Sequence, residues 1–225
     1  MKYVYVKDSP EKFSVNSIFC VGRNYIEHAA ELNNPVPKSP LIFLKPSSSI
    51  IYDRESIELP AVSREVHHEV EVLVLIGREG KNIAREDAIA HIAGYGVGID
   101  VTARDIQQQA KEKSHPWTIA KGFDTFAPVS RFVDPAQIPD PANISFELFI
   151  NGSLRQKGNT REMIFPIPEL ISYLSTIFTL SPGDIIFTGT PQGVGKLHPG
   201  DELHAVLGEK MTTLSVSVRS PQSCQ

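Results

Sequence analysis

Two cysteines in 225 residues, Cys20 and Cys224, are too few for a disulfide framework or a cysteine zinc site. Basic residues are not in excess. Twenty-two Lys and Arg against 26 Asp and Glu leave a net charge of −4, which argues against a nucleic-acid partner. No apolar run approaches the length of a membrane span. The first residues, Met1 to Asp8, contain no apolar signal-peptide core. Repeats and low-complexity tracts are missing too. The expectation is a cytoplasmic chain with neither nucleic-acid nor membrane partners, long enough to bury one sizeable core.

What the chain does have is an unusual strand. Val66 to Ile76 is rich in β-branched residues, and alternate side chains on a strand point to opposite faces. Val66, His68, Val70, Val72, Val74 and Ile76 share one mostly apolar face. His67, Glu69 and Glu71 share the other, which reverts to Leu73 and Leu75. Two carboxylates two apart repel each other, and burying them unpaired is costly unless a cation joins them. A water-facing strand end is the other reading. The next strand, Gly94 to Val101, carries Gly94, Gly96, Gly98 and Asp100 on one face, so that face is bare until its one carboxylate. Glycine inside a strand marks close approach by a ligand or another backbone. These glycines lie within the strand, not at a strand-to-helix turn, so they are no dinucleotide fingerprint. Glu69, Glu71 and Asp100 form an all-oxygen trio that suits Mg²⁺ or Mn²⁺ better than Zn²⁺.

Taken in order, residues 17–22 read as a short buried strand. Asn24 is placed to cap a helix from Tyr25 to about Leu32, with Glu27 at the capping-box position and a stop at Asn33-Asn34-Pro35. His28 and Glu31 are neighbours on that helix. A carboxylate beside an imidazole orients it and raises its basicity, as a general base requires, although a solvated surface pair has the same spacing. Leu41 to Leu44 is a strand, Ala84 to Ala93 a helix, and Thr102 with Asp105 resembles a second capping box. Arg104 and Gln107, three apart after it, fall close to Asp100 or on a solvated face. Lys121 sits among apolar and small residues, where an ammonium needs an anionic partner. Asn151-Gly152 is a hairpin turn between Ile144–Ile150 and Leu154–Lys157, and a helix runs from Pro168 to about Phe178. The loop Phe187 to Gly195 could approach a ligand by its backbone, but lacks the Gly-Lys-Ser/Thr of a phosphate-binding loop.

In order and at matching spacing, these pieces resemble the fumarylacetoacetate hydrolase family. They are Val21-Gly22-Arg23-Asn24-Tyr25 with His28 and Glu31, His67-His68-Glu69-Val70-Glu71, Asp100 to Asp105, Pro116-Trp117 with Lys121, and Asp184 to Pro191. The resemblance runs from about residue 17 to 218 and is nearest to the short acylpyruvase, oxaloacetate decarboxylase and fumarylpyruvate hydrolase branch. It implies an α+β, β-rich fold, a mixed β-roll with short helices. Residues 1–16 become an N-terminal extension and 17–225 a single catalytic domain, working as a homodimer. It further implies Mg²⁺ or Mn²⁺ on Glu69, Glu71 and Asp100, a His28–Glu31 dyad that activates water, and Lys121, Arg104, Gln107 and Thr190 on substrate oxygens. One departure is visible. Longer members carry a further Asp where this chain has Val21, so three carboxylates remain for the metal.

The activity expected from that resemblance is hydrolysis of the carbon–carbon bond in acylpyruvate-type 2,4-dioxo acids such as acetylpyruvate or fumarylpyruvate. Pyruvate and a carboxylic acid would result. Decarboxylation of oxaloacetate passes through the same pyruvate enolate and needs no water, so one site can support both. Isomerisation or tautomerisation of a hydroxymuconate-type unsaturated 2-oxo acid is the alternative. A non-enzymatic 2-oxo-acid-binding protein is a remote third reading, because binding alone needs no base dyad.

Overall fold

The computed structural model describes residues 1–31 and 36–220. Cys224 and the expected helix end at Leu32 to Pro35 lie outside these. Two mixed five-stranded sheets with short helices around them form the β-rich α+β roll that the sequence led us to expect. The first sheet runs Leu41–Lys45, Ile18–Gly22, Ile185–Phe187, Val70–Ile76, Ile92–Ile99. The second runs Ser153–Asn159, Ser145–Ile150, Glu202–Leu207, Thr212–Arg219, Ser56–Glu58. Four α-helices accompany them: α1 (Ile26–Glu31), α2 (Arg104–Glu112), α3 (Thr118–Lys121) and α4 (Ile167–Ile177). Among the described residues no helix is long and apolar enough to cross a membrane.

Val70–Ile76 is buried along its whole length, and its two faces feed different cores. Val70, Val72, Val74 and Ile76 pack with Phe146, Leu148, Leu203 and Val216 of the second sheet. Leu73 and Leu75 pack with Ile18, Cys20, Phe187 and the N-terminal Val4, Val6 and Val15. Glu71 belongs to that second face by the alternation of the strand. It therefore sits where an apolar core ends and a polar cavity begins.

Three local expectations are corrected. The Val66–Ile76 strand is not continuous. Val66–His68 pairs with Thr102–Ala103 and Gly195–Lys196, and the ladder resumes at Val70. The break falls at Glu69, and the Val70 amide just beyond it donates to the Gln156 side chain (3.0 Å). Thr102 is not a helix cap. It lies in a two-residue strand, its hydroxyl donates to the Asp100 carbonyl (3.1 Å), and α2 begins after Ala103 with no side-chain cap. Asp105 accepts instead from the Ser63 hydroxyl (2.6 Å) and the Arg64 amide (2.9 Å). Nor does the Asn24 side chain cap α1. It bonds both backbone groups of Phe165 and the Thr188 carbonyl, tying the turn before α1 to two distant segments.

The bare glycine face is covered by protein. A Cβ on Gly98 would lie 2.8 Å from both the Pro128 carbonyl oxygen and a Leu73 methyl, and one on Gly94 would lie 2.8 Å from Phe132 Cβ. The glycines thus let the 128–132 segment press against the strand, which fixes Asp100 just past its end.

Candidate active site and metal centre

Glu69, Glu71 and Asp100 come together although they lie on different strand ends. Gly98 faces Glu71 across the ladder, and the Asp100 amide donates to the Glu69 carbonyl (2.8 Å). One oxygen from each of the three carboxylates falls within 4.8 Å of the others, and all three residues are buried. Such crowding is tolerable only with cations nearby.

Three cations are present. Lys121 Nζ, at the end of α3, donates to Glu69 Oε2 (2.8 Å), Asp100 Oδ2 (2.7 Å) and the Thr102 hydroxyl (2.7 Å). Lys45 Nζ lies 2.7 Å from Asp100 Oδ1 and also donates to the carbonyls of Val101, Lys121 and Phe126. Arg104 Nη2 meets Glu69 Oε1 (2.5 Å), while its Nη1 donates to Gln107 Oε1 (2.8 Å). Burial works against charge on Glu69, but Lys121 and Arg104 outweigh it and hold its pKa well below the usual range. Burial also disfavours the Lys121 ammonium, yet Asp100 and Glu69 keep its pKa above the ordinary value.

Glu71 is the exception. Among the described residues its one hydrogen bond is from the Gly189 amide (2.7 Å), and burial, Asp100 and Glu69 push its pKa well up. An acidic oxygen cluster with one member short of a cation fits a hard divalent ion, and these three side chains can hold one.

His28 lines the same cavity as Glu69, Glu71, Lys121 and Thr190. It is 4 % exposed, which excludes the solvated-pair reading for the ring. Its Nδ1 lies 3.4 Å from Glu31 Oε2, so Nε2 is the nitrogen left for a substrate. Burial lowers its pKa, with Glu69 and Glu31 offsetting part of the shift, so the ring is neutral near pH 7. Glu31 is in turn held by the Gly193 amide (3.1 and 3.3 Å). The 188–193 loop thus binds Glu71 through Gly189 and the dyad through Gly193.

Arg104 and Gln107 face this cavity and are not on the solvated side of α2; Gln107 is 3 % exposed. Thr190 also reaches it, but its hydroxyl donates to the Val70 carbonyl (2.8 Å) and accepts from Gln156 Nε2 (2.9 Å). Seven of the nine residues singled out from the sequence line one cavity, and the other two, Glu31 and Asp100, contact the lining residues His28 and Lys121. Sequence reasoning missed Lys45, Thr102 and Gln156. Lys45 follows an apolar strand and precedes a proline, a place where a surface lysine is equally natural. Gln156 lies on an exposed hairpin strand with nothing nearby to mark it.

The chain and its fold are similar to those of several known proteins. The chain is 48% identical over 188 residues to the mitochondrial oxaloacetate tautomerase of Arabidopsis thaliana, covering 84% of each chain. It is 47% identical over 184 residues to the mitochondrial oxaloacetate decarboxylase of Dictyostelium discoideum, covering 81% of this chain and 84% of the relative. The fold superposes on the crystal structure of fumarylpyruvate hydrolase from Pseudomonas aeruginosa in complex with Mn²⁺ and pyruvate. The TM-score is 0.92 at 34% identity, with 97% of this chain and 96% of that one covered. The family model of the fumarylacetoacetate (FAA) hydrolase C-terminal region matches residues 17–219. The chain belongs to that family.

Proposed function

We propose that this protein is a divalent-metal-dependent enzyme of 2-oxo acids that works through an enolate, with oxaloacetate as its first candidate substrate. One observation carries the reading. A buried neutral His28 and a charged Lys121 line the same cavity as a carboxylate trio with one unbalanced member.

Glu69, Glu71 and Asp100 would hold Mg²⁺ or Mn²⁺, which would supply positive charge to polarise a 2-oxo acid. The side chains do the rest. Arg104 and Gln107 orient the substrate carboxylate. His28 Nε2 takes a proton from carbon 3 of oxaloacetate; the electron pair of that C–H bond forms the double bond between carbons 2 and 3, and the carbonyl π pair moves to the keto oxygen beside the Lys121 ammonium. Return of the proton to that oxygen completes tautomerisation. In decarboxylation the bond to the distal carboxylate breaks instead, carbon dioxide leaves, and the enolate of pyruvate remains. The relatives at 47–48% identity favour these two reactions.

Hydrolysis of an acylpyruvate is the second reading, favoured by the match to the fumarylpyruvate hydrolase structure. There His28, aligned by Glu31, delivers water to the distal carbonyl. Isomerisation of an unsaturated 2-oxo acid would use the same proton transfers. The homodimer is a further proposal. Leu41–Lys45 is an edge strand that carries the exposed Leu44, and Ile119 on α3 is exposed as well. A sedimentation mass of one chain would end that idea.

The deciding experiment is a panel with Mg²⁺: oxaloacetate followed for enol–keto exchange and for carbon dioxide release, then acetylpyruvate, fumarylpyruvate and a hydroxymuconate. His28→Ala should lower tautomerisation and hydrolysis by about 10²–10⁴-fold, the usual contribution of a general base. Decarboxylation should suffer less, since the bond cleavage removes no proton from carbon 3 and consumes no water, and the resulting enolate can take its proton at carbon 3 from solvent. Equal losses in all three would make the dyad a pocket-shaping element. Full activity after exhaustive chelation would overturn the reading as a whole.

A further inference from the structure

The mouth of the cavity carries two cations that the chemistry above does not use. Arg23 follows the Ile18–Gly22 strand, and Lys111 lies on α2; both line the cavity with His28, Arg104 and Gln107. Neither makes an ion pair among the described residues, whereas Lys45, Lys121 and Arg104 all do. Lys111 lies over the Trp117 ring, 5.7 Å from its centroid, and Trp117 packs on Phe43 at 5.7 Å. The lysine is thereby held over an aromatic wall of the cavity and is half-buried.

The backbone says the same of Arg23. Its φ is +60°, a left-handed conformation that costs a non-glycine residue on the order of 1 kcal/mol or more and is retained where a side chain must be aimed. Burial lowers the pKa of both groups, and Lys111 is depressed further by Arg23 and Arg104. Partly desolvated cations that repel one another, without a carboxylate between them, lack an anion just as Glu71 lacks a cation.

Helical spacing gives the direction. Arg104, Gln107 and Lys111 recur at i, i+3 and i+7, one face of α2. Gln107 and Lys111 are separated by about 6 Å along the axis, at 1.5 Å per residue. That is comparable with the distance between the two carboxylates of a short diacid.

We propose that Arg23 and Lys111 form a second anion subsite, which binds the distal carboxylate of a 2-oxo diacid whose first carboxylate rests on Arg104 and Gln107. The enzyme therefore selects dianionic 2-oxo acids over monoanions such as acetylpyruvate. This rests on the 2-oxo-acid reading of the site.

The test compares oxaloacetate with its monomethyl ester at the distal carboxylate. The ratio of the two kcat/KM values for enol–keto exchange, a reaction open to both compounds, is measured for wild type, Arg23→Met, Lys111→Met and the charge-preserving Arg23→Lys and Lys111→Arg. The ratio should fall about tenfold in each methionine variant, mainly through KM for the diacid. That is the lower end for a charge-assisted hydrogen bond, as suits half-exposed groups. The charge-preserving variants should recover most of it. An unchanged ratio in both methionine variants overturns the subsite, and so does a wild type that prefers the ester.

A second arm needs no turnover. Trp117 is the one tryptophan of the chain, so its fluorescence reports binding at this wall. With Mg²⁺ present, wild type should bind oxaloacetate more tightly than pyruvate, and the double variant Arg23→Met/Lys111→Met should lose that preference. No preference in wild type overturns the subsite. Preference without turnover of any 2-oxo acid would retain the subsite and overturn the enzymatic reading instead.

Discussion

Asp100 is approached by two lysines, and they are not equivalent. Lys121 bridges Asp100 and Glu69 within the cavity, whereas Lys45 lies beneath, bonded to three backbone carbonyls as well. Lys45→Met should therefore act chiefly on stability. It removes a buried ion pair and leaves three carbonyls short of a donor, so a loss of about 3–5 kcal/mol is expected by denaturant titration. A loss of activity at full stability would move Lys45 into the chemistry. The dyad predicts a pH profile. Burial places the His28 pKa below its ordinary value near 6.5, so the base is lost only as pH falls below that value. The acidic limb of kcat/KM, which reports the free enzyme, should lie under pH 6.5. Glu31 raises the His28 pKa, so Glu31→Gln should carry the limb to still lower pH. A limb that stays in place, or lies above 6.5, would assign it to another group. At this scale the sequence was most legible where two chemical types met at short spacing, as in His28 with Glu31 or Glu69 with Glu71. Lys45 was hidden because its partners are more than fifty residues away.

Among the elements, the 188–193 loop has the widest reach. Gln156 anchors it, accepting from the Val70 amide and donating to the Thr190 hydroxyl and the Pro191 carbonyl; its Oε1 also lies 2.9 Å from His68 Nδ1. Gln156→Leu keeps the bulk but leaves several buried polar groups unpaired, at about 1–3 kcal/mol for each group that finds no water. Because the loop also holds Glu71 and Glu31, the same variant should weaken Mg²⁺ binding and lower kcat. Normal kcat in a destabilised variant would confine Gln156 to stability. The strands themselves were readable from alternation and glycine punctuation, and so was the hairpin, where Asn151 and Gly152 both take positive φ. The helix starts were not. Thr102-Arg104-Asp105 and Asn24-Tyr25-Glu27 have the residue types of caps, but Asp105 and Asn24 bond to segments 41 and 141 residues distant. Tertiary partners outcompeted the local ones, and no local pattern records that.

For the molecule as a whole, three carboxylates face Lys121, Lys45 and Arg104, and that near-balance has a measurable consequence. Mg²⁺ at about a hundred times its Kd should add about 2.7 kcal/mol, or roughly 5–10 °C in Tm for a chain of this size. Glu71→Gln should abolish that shift without lowering the metal-free Tm, because burial, Asp100 and Glu69 already favour the neutral form of Glu71, which Gln mimics. A large fall in the metal-free Tm would show that Glu71 is balanced by some other group. The same arithmetic separates two events in the life of the chain. A small zinc domain cannot fold until its ion arrives, because binding free energy is folding free energy there. Here the lysines and the arginine hold Glu69 and Asp100 from the start, so the polypeptide can finish folding in a metal-poor compartment and persist as a ready apoprotein. Refolding in chelator should then give the native far-ultraviolet spectrum, with catalysis restored on mixing as fast as the ion can bind. Scarcity of Mg²⁺ or Mn²⁺ would set how much of the enzyme works, and not how much of it exists.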